Sequence, residues 1–353
     1  MGSQKVVLIV GASRGIGRQI AIDLAKNGFA VVVAAKSSSD RTISNAAASA
    51  PFPPDPNSSD STITTVAREV REAGGEATAI PVDVRDPASI RALVAKTVEV
   101  YGRLDALVYN AGAVWWASVE DTPLKRFRLM QQVNVEGLYA TIEAALPHLK
   151  KGGTGRIVVV SPPIYSRFFR GKTAYAMVII PARFAQNCFI RDLFSPYCLF
   201  LLIHEHRPGK VGMSVLTKGL AMDFERQGLK NMSITSIWPA VAIESAATQK
   251  LQKSDPSTAR DLRKPTIFSD AVLAILRDTT PAASVNGLLA LDEDFLRSDL
   301  GGRMSDFSRY ALVPGAKPRR IMPKRLPDLT VEEQDDEGTR INSAASVPAK
   351  AKL

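Results

Sequence analysis

Continuous apolar runs alternate along this chain with segments in which apolar residues recur at helical spacing. Residues 5–10 form a β-branched and aliphatic run, and residues 16–27 then show helical periodicity. The same reading predicts further strands at 29–35, 77–84, 104–109, 156–161, 233–238 and 287–291, and helices at 64–73, 87–101, 123–149 and 211–227. Because parallel strands need a crossover connection, this alternation predicts an α/β fold: a doubly wound parallel sheet with helices on both faces.

Two segments fall outside that alternation. Residues 37–61 are rich in Ser, Pro, Ala and Asp, which is typical of a long exposed loop. From about Pro323 the apolar periodicity stops, so residues 323–353 are predicted to be a disordered tail. The remainder, 1–322, is predicted to be a single domain.

Composition excludes some classes of function. The chain has 353 residues and a net charge of +10, but its cations are scattered, and mixed stretches such as 68–76 and 292–303 are interpreted as solvated faces. Nucleic acid is therefore not a predicted partner. The longest apolar run, 197–203, is far shorter than the roughly 20 residues of a membrane helix, and no membrane span is predicted. Two cysteines and no secretory leader indicate a reducing compartment.

A glycine-rich turn connects the first strand to the first helix, with the sequence Gly11-Ala12-Ser13-Arg14-Gly15-Ile16-Gly17. Glycines in this position let the backbone approach a pyrophosphate, and the helix N-terminus supplies N–H groups and partial positive charge. In this strand-to-helix context the turn predicts dinucleotide binding, in the manner of a Rossmann-type fold.

The residues that follow the next strands favour NADP over NAD. An NAD site usually has an acidic residue after the second strand, whereas this chain has Lys36 there, and Arg14 lies in the glycine turn. Both cations are predicted to contact a 2′-phosphate, although they could be ordinary surface charges. Asp83 and Val84 are predicted to contact the adenine, and Asn110-Ala111-Gly112 to back the cofactor.

Four motifs in order resemble the short-chain dehydrogenase/reductase family over residues 5–291. They are the glycine turn, Tyr109-Asn110-Ala111-Gly112 (where the family more often begins with Asn), Asn134 in Asn-Val-Glu-Gly, and Ser161 followed fourteen residues later by Tyr175. Within the family, Val33-Ala34-Ala35-Lys36, Asp121-Thr122-Pro123, Ser161-Pro162-Pro163 and Trp238-Pro239 resemble one subgroup of oxidoreductases with poorly defined substrates.

The resemblance implies an oxidoreductase in which proton transfer accompanies hydride transfer. It assigns Tyr175 as the acid/base, Ser161 as the hydroxyl that binds the substrate oxygen, and Asn134 as the anchor of a water. It also places Pro239 at the cofactor. A lysine four residues after the tyrosine normally favours the phenolate, since an ammonium nearby lowers its pKa.

That lysine is absent, because Ile179 stands four residues after Tyr175 and none of the seven tyrosines has Lys at this spacing. Joining Val178 directly to Lys210 restores both the motif and an amphipathic helix. Residues 179–209 are therefore interpreted as a foreign insertion, either a retained intron or a gene-model error. Two alternatives stay open: a real insertion that loops out and returns Lys210 to the site, or a protein that has abandoned catalysis.

The same segment holds Cys188, Cys198, His204 and His206, but without a paired C-x-x-C arrangement it does not predict a metal site. The predicted function is NADP-dependent interconversion of an alcohol and a carbonyl on a lipophilic substrate. Aromatic residues expected at the carboxyl ends of strands suit such a substrate: Trp115, Trp116, Tyr165, Phe168 and Phe169. The rival is a nucleotide-binding scaffold without turnover. The family resemblance also implies a homo-oligomer.

The last three residues, Ala351-Lys352-Leu353, match the small, basic, Leu pattern that a peroxisomal import receptor reads. A disordered tail would present it. The sequence therefore predicts a peroxisomal location, with the cytoplasm as the alternative.

Overall fold

A seven-stranded sheet forms the centre of the computed structural model, which describes residues 4–38, 57, 61–163 and 210–326. Every strand pair is parallel, and the order across the sheet is β3-β2-β1-β4-β5-β6-β7. The strands are β1 Val6–Val10, β2 Ala30–Ala35, β3 Glu76–Pro81, β4 Ala106–Tyr109, β5 Arg156–Val160, β6 Ser233–Trp238 and β7 Leu289–Leu291. The doubly wound parallel sheet that the sequence predicts is thus confirmed.

Helices cover both faces of this sheet. They are α1 Gly15–Lys26, α2 Ile63–Glu72, α3 Pro87–Tyr101, α4 Leu124–Gln131, α5 Gly137–Lys151, α6 Lys210–Arg226, α7 Gln249–Ser254, α8 Thr266–Leu276, α9 Ala282–Val285 and α10 Asp292–Arg297. A π-helical segment, Gln132–Glu136, joins α4 to α5, and short 3₁₀ turns occur at Pro256–Asp261 and Ser308–Tyr310. No described helix is both long and apolar enough to cross a lipid bilayer.

Side chains of each strand alternate between two apolar cores, as the pleat of a strand dictates. Val7 and Ile9 of β1 pack with α1, α2 and α8 on one face. Val6 and Leu8 pack with α3, α5 and α6 on the other. Because both faces are covered, β1, β2, β4 and β7 consist of aliphatic and aromatic residues, whereas β3, β5 and β6 also contain polar ones.

The predicted long helix at 123–149 is confirmed, and its centre takes π-helical rather than α-helical hydrogen bonds. The structure has α4, then the π-helical segment, then α5. The interpretation of 292–303 as a solvated face is wrong at its start, because Asp292 and Glu293 are buried. Helices α7 to α10 were not predicted by the apolar pattern.

After α10 the chain returns to the segment that follows the carboxyl end of β6. Arg320 forms an antiparallel bridge with Val241, and the N–H groups of Ile321 and Met322 both donate to the carbonyl oxygen of Ala240 over 2.9 and 3.2 Å. Leu326 packs beside them, so the described chain runs slightly past the point where the tail is predicted to begin. Most of the predicted tail lies outside the described residues.

Candidate active site

A cleft of about 760 Å³ opens beyond the carboxyl ends of β1 and β4. The strand order reverses between these two strands, and ligands of open α/β sheets bind at such a switch point. The cleft is lined by the glycine turn and by residues 35–37, 82–85, 110–114 and parts of 238–248. The cofactor-binding residues predicted from the sequence, apart from Gly17, therefore lie around one cavity.

The glycine turn is packed too tightly for larger residues. Gly11 has a φ of +87°, and a Cβ there would lie 2.5 Å from the backbone nitrogen of Ala111. A Cβ on Gly17 would lie 2.2 Å from the carbonyl oxygen of Gly11. Helix α1 begins at Gly15 with no side chain capping its first turn. Its N–H groups and partial positive charge suit a pyrophosphate.

Asn110 joins two of the predicted motifs. Its Nδ2 donates a hydrogen bond to the carbonyl oxygen of Gly11 over 2.8 Å. The same nitrogen would lie 2.6 Å from a Cβ on Gly17. The side chain of Asn110 therefore stabilises the glycine turn, and the residue also lines the cleft.

Three cations and one carboxylate line the end of the cleft next to β2. The Nζ of Lys36 lies 3.2 Å from Asp83, and Arg85 donates to the two carboxylate oxygens of Asp83 over 2.8 and 2.5 Å. These hydrogen bonds, chiefly those from Arg85, hold the pKa of Asp83 well below its usual range. Arg14 is exposed and lines the same cleft. Sequence reasoning missed Arg85, although it follows the predicted Asp83-Val84 pair directly.

Tyr109 stands where the family motif more often has Asn, and its side chain contacts the π-helical segment between α4 and α5. Its buried hydroxyl donates to the carbonyl oxygen of Val133 over 2.5 Å, within the π-helical segment. Gly137 leaves room for it, because a Cβ there would lie 2.6 Å from the tyrosine oxygen. Burial raises the pKa of Tyr109, so the phenol stays neutral.

The π-helical segment carries Asn134, which is fully buried. Its Oδ1 accepts from the backbone N–H of Ala113 over 2.8 Å, and its Nδ2 donates to the carbonyl oxygen of Ala113 over 3.1 Å. The side chain thus fixes the wall of the cleft after β4. One donor and one acceptor of the amide are used on Ala113, and the second N–H of Nδ2 remains for another partner.

Ser161 lies at the end of β5 in a buried cluster of hydroxyls. Its Oγ lies 2.9 Å from the Oγ of Ser214 and 2.6 Å from that of Ser236. Ser214 has the carbonyl oxygen of Pro162 as an acceptor at 2.7 Å, and Ser236 that of Ser161 at 2.9 Å. When those two protons go to carbonyls, Ser161 is the donor within the cluster, to the Oγ of Ser214 or of Ser236.

Lys210 is the first residue of α6, one turn before Ser214. Because Ser214 contacts Ser161, the start of α6 lies near the end of β5. Tyr175 and the interrupting segment 179–209 lie outside the described residues.

The far side of the cleft is formed by Trp238, Pro239 and the segment after them. The backbone N–H of Ala240 donates to Oδ1 of Asp292 over 2.8 Å. Burial raises the pKa of Asp292 to about 7, and its Oδ2 has no hydrogen-bond partner among the described residues. Two sets of contacts therefore hold this segment: Asp292 accepts a hydrogen bond from the N–H of Ala240, and residues 320–322 bind the backbone of Ala240 and Val241.

Aromatic side chains stand at the mouth, as predicted. Trp116 lines the cleft, and Trp115 packs among apolar residues that include Phe127 and Leu326. Tyr165, Phe168 and Phe169 lie outside the described residues, as do the cysteines and histidines of 179–209. Among the described residues no group of three or more His, Cys, Asp or Glu side chains is placed to hold a metal ion.

The sheet order, the glycine turn and the cleft define a dinucleotide-binding protein of the Rossmann type. Comparisons with known proteins agree: the short chain dehydrogenase family model matches residues 5–50 and 57–177. That match ends just before the interrupting segment.

Two solved structures resemble almost the whole chain. A putative dehydrogenase from Xanthomonas campestris is 33% identical with a TM-score of 0.66, covering 94% of this chain and all of its own. A short chain dehydrogenase from Mycobacterium thermoresistibile is 32% identical with a TM-score of 0.66, covering 95% of this chain and 97% of its own. The chain belongs to the short-chain dehydrogenase/reductase family of oxidoreductases.

The subgroup suggested by the sequence motifs is that of hydroxysteroid dehydrogenase-like protein 2, and this resemblance is confirmed. The Mus musculus protein of that name is 32% identical over 330 residues, which is 94% of this chain. The chain spans 54% of the length of that relative.

Proposed function

We propose that this protein uses NADP to interconvert an alcohol and a carbonyl on a lipophilic substrate. The observation that carries the choice of cofactor is the lining of the cleft, where three cations, Arg14, Lys36 and Arg85, accompany one carboxylate, that of Asp83. The Lys36 side chain is 70% exposed and can turn toward a phosphate. Asp83 would stay neutralised by Arg85. A 2′-phosphate would therefore meet net positive charge, whereas the position after β2 offers no acidic partner for a 2′-hydroxyl.

The cofactor, when bound, supplies or accepts the hydride. The roles of the chain's own residues follow the family: Tyr175 exchanges the proton, Lys210 favours the phenolate, and Ser161 holds the substrate oxygen. The hydroxyl cluster supports the role of Ser161, because Ser214 and Ser236 both have carbonyl acceptors for their own protons, so the Ser161 proton can turn from a neighbouring Oγ to a substrate oxygen. Asn134 positions the wall of the cleft through Ala113.

A lipophilic substrate suits the apolar surface at the mouth. Trp116 is 47% exposed there, and Ile321 and Trp238 line the same cavity. We propose that the reacting part of the substrate lies between these side chains and Ser161.

Titration of NADPH and NADH tests this function. We expect NADPH to bind about tenfold more tightly than NADH, and Lys36→Asp to abolish that preference. Lys230→Asp, the same change at an exposed distant position, is the control and should leave the ratio unaltered. Tighter binding of NADH, or an unchanged ratio in Lys36→Asp, would show that the cations do not read a 2′-phosphate.

A scaffold without turnover is the second candidate, and the interruption at 179–209 favours it. Tyr175 and Lys210 are separated by the interrupting segment in the sequence, and the family match stops just before that segment, at residue 177. This candidate keeps the cofactor cleft and lacks hydride transfer. Binding of NADPH without reduction of any carbonyl would support it.

We also propose that the protein assembles as a homo-oligomer. Tyr139 on α5 and Val215 on α6 are apolar side chains that are 60% and 49% exposed, which suits a contact between copies. Sedimentation velocity of the purified chain would show a single species larger than a monomer. A monomer at micromolar concentration would contradict the proposal.

Peroxisomal location stays a proposal, carried by Ala351-Lys352-Leu353. Fusion of the final ten residues to a fluorescent protein should give puncta that are lost when Leu353 is removed. Diffuse signal from the intact fusion would exclude recognition by the import receptor.

A further inference from the structure

A second pocket of about 670 Å³ lies beside the cofactor cleft. It shares Arg85 and Leu129 with the cleft, so the two cavities adjoin. Four of its six lining residues are cations and none is acidic: Arg85, Lys125, Arg126, Arg128, Leu129 and Gln132. We refer to this cavity as the basic pocket.

One face of a helix forms most of the basic pocket. Arg128 and Leu129 lie three and four residues after Lys125, and Gln132 lies three residues after Leu129, which places them on one side of α4 and its π-helical extension. Two of the cations stand in the first turn of α4, which contains no acidic residue and no side-chain cap. Positive side chains at this end are unfavourable because the helix dipole is positive there. A bound anion would remove that repulsion.

The cations of the basic pocket are only partly engaged with the protein. The guanidinium of Arg126 lies 4.7 Å from the centre of the Trp115 ring, which orients it without neutralising it. Arg85 is paired with Asp83. Neither the side chain of Lys125 nor that of Arg128 has a hydrogen bond or an ion pair within the described part of the chain, and both residues are exposed. Two unneutralised cations therefore face one concavity.

We propose that the basic pocket binds a phosphate-bearing ligand, at a position distinct from Arg14 and Lys36. Arginine and lysine bind phosphate through charge-assisted hydrogen bonds, and arginine can do so through two parallel bonds. The volume of the pocket is within the range of small-molecule sites. Leu129 and the methylene stems of the long side chains would contact the organic part of the ligand.

The basic pocket and the cofactor cleft share part of their lining, so a ligand in the basic pocket can reach the cofactor cleft. Because Arg85 and Leu129 belong to both cavities, a molecule anchored by its phosphate in the basic pocket can extend an apolar portion past Leu129. A soluble organic phosphate and a phospholipid headgroup both provide this chemistry.

Binding of defined probes by the full chain tests the proposal. Inorganic pyrophosphate and coenzyme A serve as soluble probes, and phosphatidylcholine vesicles with or without phosphatidic acid serve as the lipid probe. Saturating NADPH occupies the cofactor cleft during each titration. The test variant is Lys125→Gln with Arg128→Gln, and the matched control is Lys230→Gln with Lys317→Gln, which removes the same charge from exposed positions elsewhere.

We expect the test variant to bind the probe about tenfold more weakly than the unaltered protein, and the control to bind it equally well. Binding of coenzyme A or pyrophosphate identifies a soluble ligand, and binding only to vesicles that contain phosphatidic acid identifies a headgroup. Lys125→Gln alone, an exposed single change, should weaken binding in the same direction.

The proposal is overturned if the unaltered protein binds none of the probes, or if the test variant binds them as the unaltered protein does. Neither Lys125 nor Arg128 lines the cofactor cleft, so NADPH affinity should be equal in all these proteins. A failure of the NADP proposal would instead appear as a loss of preference for NADPH, with the effect of the test variant on probe binding unchanged.

Discussion

The hydroxyl of Tyr109 donates a hydrogen bond to the carbonyl oxygen of Val133 over 2.5 Å. This bond connects the end of β4 to the π-helical segment that carries Asn134. A π-helical turn inside a longer helix often marks a functional site, and here it points Asn134 at the cleft wall. The departure from the usual Asn at position 109 thus has a structural use.

Tyr109→Phe should destabilise the fold by about 1–3 kcal/mol, since the carbonyl of Val133 would lose its side-chain donor in a buried place. We also expect weaker NADPH binding, because Asn134 would no longer be held against Ala113. Chemical unfolding and NADPH titration measure the two effects. Tyr101→Phe is the control: it removes a half-buried hydroxyl that contacts Thr78 over 2.9 Å, and neither residue lines the cleft. Equal NADPH affinity in Tyr109→Phe and the unaltered protein would contradict the proposed link.

Gly17→Ala should abolish dinucleotide binding. Its Cβ would lie 2.2 Å from the carbonyl oxygen of Gly11, and only a shift of the glycine turn can relieve that contact. Gly219→Ala provides the comparison, because Gly219 also lies in a helix and a Cβ there meets nothing within 4 Å. That change should be neutral or stabilising by up to about 1 kcal/mol. Cofactor binding retained by Gly17→Ala would mean that the turn does not cradle the pyrophosphate.

Asp292→Asn should raise the thermal midpoint by a few degrees at pH 8 and by less at pH 5. Burial raises the pKa of Asp292 to about 7, well above its ordinary value of 3.8. The folded state therefore keeps a proton that the unfolded state loses, so stability falls as pH rises from the unfolded pKa to the folded pKa and is level above it. Asn can still accept the hydrogen bond from Ala240, and it does not titrate. Arg263 opposes the shift in pKa and Glu293 adds to it.

Asp306→Asn is the control, because the pKa of Asp306 is shifted in the opposite direction to that of Asp292. Asp306 is exposed, and hydrogen bonds from the backbone and side chain of Ser308 lower its pKa. Its contribution to stability is present at neutral pH and is lost as pH falls through the lowered pKa. A midpoint difference for Asp292→Asn that is the same at pH 5 and pH 8 would contradict the buried, protonated state.

Deletion of residues 179–209 should give a more stable and more active enzyme than the chain as written. It places Lys210 four residues after Tyr175, one helical turn away, and α6 already begins at Lys210. In the deleted form Tyr175→Phe should remove turnover and leave NADPH affinity nearly unaltered, whereas Lys210→Met should weaken both. Sequencing of transcripts across the codons for Val178 and Lys210 is the companion measurement. Uniform retention of the segment, with no gain in activity on deletion, would favour the scaffold.

The order of strands and helices was predictable because most strands are buried on both faces and each amphipathic helix has one apolar side. Helix α8 was not predictable, since nine of its 11 residues are buried and no polar face reveals a helical period. The π-helical turn at 132–136 hydrogen-bonds to Tyr109, a residue more than twenty positions earlier. Local periodicity contains no signal for such a contact.

The cofactor side of the site was predictable from the glycine turn and the residues that end β2, β3 and β4. Asp292 was not, because a carboxylate in a mixed-charge stretch is normally solvated, and only the fold shows that it lies beneath Ala240. Arg85 and the cations of α4 were similarly ambiguous, since scattered charges become a cluster only when α4 packs beside the end of β3.

Strands β5 and β6 meet along five residue pairs, from Arg156 with Ser233 to Val160 with Ile237, and the hydroxyl cluster of Ser161, Ser214 and Ser236 closes their upper end. The two halves of the molecule therefore recognise each other through pairing and packing that do not depend on how the polypeptide passes from one to the other. Assembly of the sheet should therefore tolerate a break between positions 178 and 210, although the spacing of Tyr175 and Lys210 still requires a continuous chain. Two separately synthesised fragments, 1–178 and 210–353, should reassociate into the same sheet without regaining turnover.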